Sequence, residues 1–123
     1  MGTFIGWALD PGEREALLAR FPPRYANAVA DHVTLAFKPT RPKLPTETAG
    51  EIVGESDDGR GVQAMVVRIG GTTDRPDGST YHITWSLADG RRAKESNDVI
   101  RAHGWRPLPE PVQVQLEPRL FKP

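Results

Sequence analysis

The sequence predicts an α+β domain built on antiparallel sheet, and three observations predict it. Short runs rich in β-branched and aromatic residues recur along the chain, two segments carry helix start and stop signals, and glycine and proline, twelve each, supply many turns. At 123 residues the chain is expected to form one domain over 1–123, with a modest core, since its hydrophobic fraction of 37% is below that of an average globular chain.

The opening "TFIGWAL" reads as a strand. Asp10-Pro11-Gly12-Glu13 then starts a helix: Asp10 can accept from an orphan N–H, Pro11 suits the first helical position, and Glu13 can reach back as in a capping box. That helix, "PGEREALLARF", carries Ala16, Leu17 and Phe21 on one stripe and stops at Pro22-Pro23. "HVTLAF" is a second strand, followed by the proline-dotted loop "KPTRPKLPTETAG". "EIVGE" and "GVQAMVVRI" flank "SDDGR", whose Asp-Gly pair signals a hairpin. "GGTTDRPDGST" has two glycine-rich turns and no apolar anchor, so a mobile loop is expected. "HITWSL" is the next strand. "SNDVIRAHG" is a short helix with Ser96 or Asn97 as N-cap and Gly104 as its stop, and "PVQVQLEP" alternates with the period of a half-exposed strand.

Lysine plus arginine, 16, balance aspartate plus glutamate, 16. A protein that tracks long nucleic acid by neutralising phosphates is basic, so that partner is not expected, whereas a nucleotide or a short RNA end is compatible. There are no cysteines, hence no disulfide framework and no thiolate chemistry. No signal peptide is visible in "MGTFIGWALDPGERE", and no apolar run nears the roughly 18 residues that span a membrane. The expectation is a cytoplasmic monomer with no membrane partner.

The chemistry concentrates in two tetrapeptides, "HVTL" at 32–35 and "HITW" at 82–85, which use two of the three histidines. In a strand, residues two apart share a face, so His32 projects with Thr34 and His82 with Thr84, while Val33, Leu35, Ile83 and Trp85 anchor the other side. With average residue usage a histidine is followed by apolar, Thr/Ser, apolar about 2% of the time, so two hits among three occur in roughly one chain in a thousand, and several-fold more often where strand composition favours threonine and valine. Two imidazoles and two hydroxyls around one space suit phosphoester chemistry. One neutral imidazole removes a proton from water, one imidazolium protonates the departing sugar oxygen, and the hydroxyls donate to the non-bridging oxygens.

This pair of His-apolar-Thr-apolar motifs resembles the signature of the two-histidine (2H) phosphoesterase superfamily. The resemblance implies a small bilobal α+β fold with a central cleft and metal-independent hydrolysis of 2′,3′-cyclic phosphates, or of 2′–5′ and related linkages. It implies that His32 and His82 are acid and base and that Thr34 and Thr84 hold the phosphate. "AKESN", 93–97, is similar to a loop after the second motif in the cyclic phosphodiesterase part of fungal-type tRNA ligases, which suggests an opening that leaves a 2′-phosphate.

Each residue also has a plainer reading. Either histidine alone is a structural one, and the threonines are β-formers. Tyr81 flanks His82 and can stack on a base, whereas Trp85 belongs to the core. Lys94 and Ser96 are candidate substrate contacts at a helix N-terminus, where free N–H groups face an anion, and the plain alternative is an N-cap beside a solvated lysine. His103 reads as structural at a helix C-terminus. No metal or other cofactor is expected: Asp31, His32 and His82 make an incomplete zinc set, no G-x-S-x-G occurs, and "GGTTDRPDG" lacks a P-loop's lysine and helix. Two other functions remain open: a non-catalytic module that binds nucleotides or RNA ends, and a hydrolase of other cyclic or 2′–5′ linked nucleotides.

Overall fold

A computed structural model describes residues 2–40 and 43–122. The elements are β1 (Phe4–Leu9), α1 (Pro11–Arg20), β2 (Asn27–Ala28), β3 (His32–Phe37), β4 (Ala49–Asp57), β5 (Val62–Arg68), β6 (His82–Leu87), α2 (Glu95–His103) and β7 (Arg106–Phe121). All strand pairings are antiparallel. Six strands follow one another as β6-β3-β1-β7-β4-β5, and β5 pairs back onto β6, so the sheet closes into a six-stranded barrel, with β2 added beside β6. The α+β class and the antiparallel sheet are as the sequence predicts. No helix among the described residues is long and apolar enough to cross a membrane.

Strand alternation explains the closure. Trp7, Val33, Val67, Ile83, Trp85 and Val114 all turn inward and are almost fully buried. Each buried aliphatic side chain contributes about 1.5–3 kcal/mol relative to exposure. The two interior tryptophans find acceptors for their indole N–H groups, Trp7 on the Glu47 carbonyl at 3.0 Å and Trp85 on that of Phe21 at 2.7 Å. Outside the barrel, Ile100 of α2 packs on Val53, Ala64 and Val66, which fastens that helix over β4 and β5.

Several local expectations change. Asp10 does cap α1, accepting from the Glu13 N–H at 2.9 Å, but the Glu13 carboxylate accepts from Gln115 N–H of β7 instead of reaching back. Leu17 is buried and Phe21 partly so, whereas Ala16 is exposed. Helix α2 begins at Glu95, with Lys94 at its N-cap and no side-chain cap, so neither Ser96 nor Asn97 takes that position. Gly104 ends it as expected, at φ 67° with its N–H on the Ile100 carbonyl.

The loop at 70–80 is anchored where a mobile one was expected. Bridges join Ile69 to Thr72 and Asp74 to Thr80, and the buried Arg75 binds Asp77 at 3.0 and 2.9 Å and Asn97 of α2 at 3.2 Å. The side chain that ties the loop to α2 is a buried cation, stiffened within the loop by Asp77, and not an apolar residue. The described residues of the loop at 38–50, which leave out 41 and 42, form no helix, and strand β4 begins at its Ala49. Strand β7 is longer than predicted because Pro109 and Pro111 fall in the stretch between the Ile52–Val112 and Gly54–Pro107 pairs, where β4 shifts register.

Candidate functional site

Both motifs are strands and they are neighbours. Val33 pairs with Ile83 in the antiparallel sense. Carrying that register one residue either way sets His32 across from Thr84 and Thr34 across from His82. Because Val33 and Ile83 fill the barrel interior, the four polar residues lie together on its outer face. The proximity is electrostatic as well, for a charge on His32 helps disfavour one on His82.

A bulge sets the stage just before His32. Ala28 pairs with Ser86 but Val33 with Ile83, so the chain gains two residues relative to β6 between them. Ala30, fully buried, takes the extra length at φ 43°, a left-handed conformation that alanine seldom adopts. Arg14 of α1 braces this turn, its Nε donating to the Ala30 carbonyl and its Nη2 to that of Val29, both at 3.0 Å. On the other side β1 comes very close, since Gly6 faces Thr34 with no side chain between the strands.

The two imidazoles are held differently. His82 is 8% exposed and its Nδ1 lies 2.8 Å from the Thr80 carbonyl. A carbonyl only accepts, so Nδ1 carries the proton and Nε2 is left for other work. Burial, foremost, holds the His82 pKa below the usual histidine value; the Thr80 contact opposes this, the Arg75 cation and His32 add to it, and Asp77 opposes it. His82 is therefore a neutral imidazole at pH 7. His32 is partly exposed, with Nδ1 3.0 Å from the Asp31 carboxylate, and its ring rests 5.0 Å from that of Phe4 and 5.2 Å from that of Phe121. A carboxylate accepts too, so Nε2 is again the atom free to meet a ligand.

Thr34 is nearly buried across from His82. The Thr84 hydroxyl lies 2.9 Å from that of Ser96 and 3.3 Å from the Ala93 carbonyl. Ser96, proposed from sequence as a substrate contact, is 0% exposed, so it reaches a ligand only through Thr84. Tyr81 is a correction: with the same parity as Ile83, it enters the barrel and meets Trp7 edge-on at 5.7 Å, far from stacking on a base. Lys94 is exposed and lines a hollow with Arg75 and Asn97 beside the motif face. Trp85 is core, as expected.

Sequence reasoning missed Arg75, Arg14, Gly6 and the aromatic trio Phe4, Phe37 and Phe121. The Arg75 guanidinium sits 5.5 Å from the centre of the Phe37 ring, and its grip holds the Asp77 carboxyl far below the usual carboxylate range. Neither Asp77 nor Asn97 engages its Nη1. The dipeptide Arg75-Pro76 gave one faint signal, a cation in an otherwise uncommitted loop. Among the described residues, no three His, Cys, Asp or Glu side chains converge as a metal site would require. Comparison of the chain with family models, with curated proteins and with solved structures gives no match.

Proposed function

We propose that this chain is a phosphodiesterase that hydrolyses 2′,3′-cyclic phosphates of nucleotides or RNA ends by histidine acid–base catalysis. The observation that carries the reading is the Val33–Ile83 pair, which gathers His32, Thr34, His82 and Thr84 on one outward face. On this reading the two lobes implied by the motif resemblance are the halves of the ring that meet at that pair, β3 with β1 and α1 on one side, β6 with β5 and α2 on the other.

The environments divide the labour. His82, kept neutral by burial and by Arg75, takes the proton of the attacking water at Nε2. His32, its Nδ1 beside the Asp31 carboxylate, gives a proton from Nε2 to the leaving sugar oxygen. The water oxygen bonds to phosphorus as the P–O bond to the sugar breaks, so one proton is taken and one returned. Thr34 donates to a non-bridging oxygen. Thr84 does so by turning its hydrogen from the Ala93 carbonyl while Ser96 donates to it, and Arg75 Nη1 adds positive charge at the same edge. Opening that leaves a 2′-phosphate follows the tRNA-ligase-like motif.

The engaged Thr84 hydroxyl favours a second reading, a module that binds the cyclic end without opening it. Incubation with 2′,3′-cyclic mononucleotides and a cyclic-phosphate RNA in the presence of chelator separates the two. Turnover to a 2′-phosphate supports the hydrolase. Binding without turnover supports the module, and activity that needs added metal removes the two-histidine scheme.

A further inference from the structure

The hollow beside the motif face is not isolated. It has a volume of about 540 Å³ and runs between the 70–80 loop and α2, with Arg75 and Lys94 at its near end. It shares Ser79, Asn97 and Arg101 with a second hollow of about 230 Å³, which reaches Gly104 and Trp105. Thr80, whose carbonyl holds His82 Nδ1, lines this second hollow. A third, of about 410 Å³, also touches Gly104 and Trp105, and its Arg24 and Arg106 are paired with Glu55. One groove thus leads from the edge of the histidine site to a tryptophan.

That tryptophan is mounted as a platform. A Cβ on Gly54 would lie 2.1 Å from Trp105 Cε3, so the indole rests directly on the β4 backbone, and the residue is still 36% exposed. An aromatic that is fixed on one side and wet on the other is what a nucleobase stacks on. The cations between the two ends are suited to phosphates: Lys94 is exposed, and Arg101 has only a loose pairing with Asp98 at 3.5 Å, both side chains being well exposed.

We infer that this groove binds the single-stranded RNA chain upstream of the reacting end, with Lys94 and Arg101 on phosphates and a base stacked on Trp105. The inference rests on the hydrolase reading for which end of the RNA enters, but not for the binding itself. It makes a short RNA a better ligand than a mononucleotide, despite the neutral charge of the chain.

The test pairs binding with turnover. A 5′-labelled hexauridylate with a 3′-phosphate reports affinity by fluorescence anisotropy, and cyclic-phosphate hexauridylate is compared with cyclic UMP for kcat/KM. Trp105→Leu, which keeps Gly54 covered without an aromatic ring, should weaken hexamer binding by about fivefold to a hundredfold and leave cyclic UMP turnover unchanged. Two phosphate contacts give a slope of log K on log salt of about −1.4, and Arg101→Gln should reduce it by about half. Hexamer binding no tighter than that of UMP, or binding unchanged in both variants, overturns the groove. If the hexamer binds and Trp105→Leu weakens it while no cyclic phosphate is opened, the groove stands and the hydrolase reading falls. Equal kcat/KM for hexamer and cyclic UMP, with binding insensitive to Trp105, leaves the hydrolase reading and removes the groove.

Discussion

Gly6→Ala is the substitution whose effect the geometry fixes most tightly. A Cβ built on Gly6 lies 2.0 Å from the Val33 carbonyl oxygen and 3.0 Å from the Thr34 Cα. Cβ contacts below 3.0 Å essentially do not occur, and the obstacle is backbone, so β3 or β1 must retreat by about an ångström. Overpacking of this kind costs about 1–3 kcal/mol, which for a domain of this size is a fall in Tm of roughly 4–12 °C. Either movement alters the support of β3, which carries both His32 and Thr34, and a displacement of about 1 Å there costs on the order of 100-fold in rate. On the proposed function, turnover of a cyclic mononucleotide, measured well below the new Tm so that the protein is folded, should fall by about that factor with a smaller change in KM. A variant with unchanged Tm and undiminished kcat would show that β1 and β3 are not in backbone contact at Thr34, or that the motif strand does not set the rate.

Four other outcomes follow from named contacts. His32→Ala and His82→Ala should each lower kcat by about 10²–10⁴-fold, with chelator present throughout. Arg75→Met removes a cation that disfavours the His82 imidazolium, so the acidic limb of the pH–rate profile should move to higher pH; a limb that stays or moves lower refutes the assignment of His82 as base. Because the folded pKa of His82 lies below its ordinary 6.5, protons bind the unfolded chain better. Tm should therefore decline as pH drops below about 6.5 and level off under the folded value, and His82→Gln should flatten that decline. Arg14→Leu strips the brace from the Val29 and Ala30 carbonyls and should lower kcat more than it lowers cyclic-phosphate affinity, as read by a KM-against-kcat comparison.

The strands and helices were legible because their signals are local. Alternation placed β3 and β6, Asp10-Pro11 opened α1, Asp58-Gly59 turned β4 into β5, and Gly104 closed α2. What failed were arrangements that depend on distant partners. Ser96 looks like a cap in the sequence, yet the Thr84 hydroxyl draws it inward. The loop at 70–80 lacks apolar residues, yet Arg75 ties it to Asp77 and to Asn97 on α2. Pro109 and Pro111 of β7 look like strand breakers until the register shift against β4 leaves them unpaired. Closure of the barrel by the β5–β6 ladder has no sequence signature at all.

The same division explains the site. Period-two alternation dictates that each histidine shares a face with the threonine two places on, and that rule needs no tertiary structure. Whether the two faces coincide depends on register, and the register depends on Ala30 absorbing two extra residues in a left-handed turn that Arg14 holds from the helix side. Nothing in "NAVADH" announces that turn, since alanine is a poor residue for it. An unfavourable backbone held by a brace from another element is the sort of strain that persists where function requires a geometry the local sequence would not choose. The bulge is placed where it matters: one pair, Val33–Ile83, is all the ladder that β3 shares with β6, and past it the strands part beside Thr34 and His82. On the proposed function this short seam is where a phosphate meets the two imidazoles, and a fuller ladder would close it with backbone hydrogen bonds.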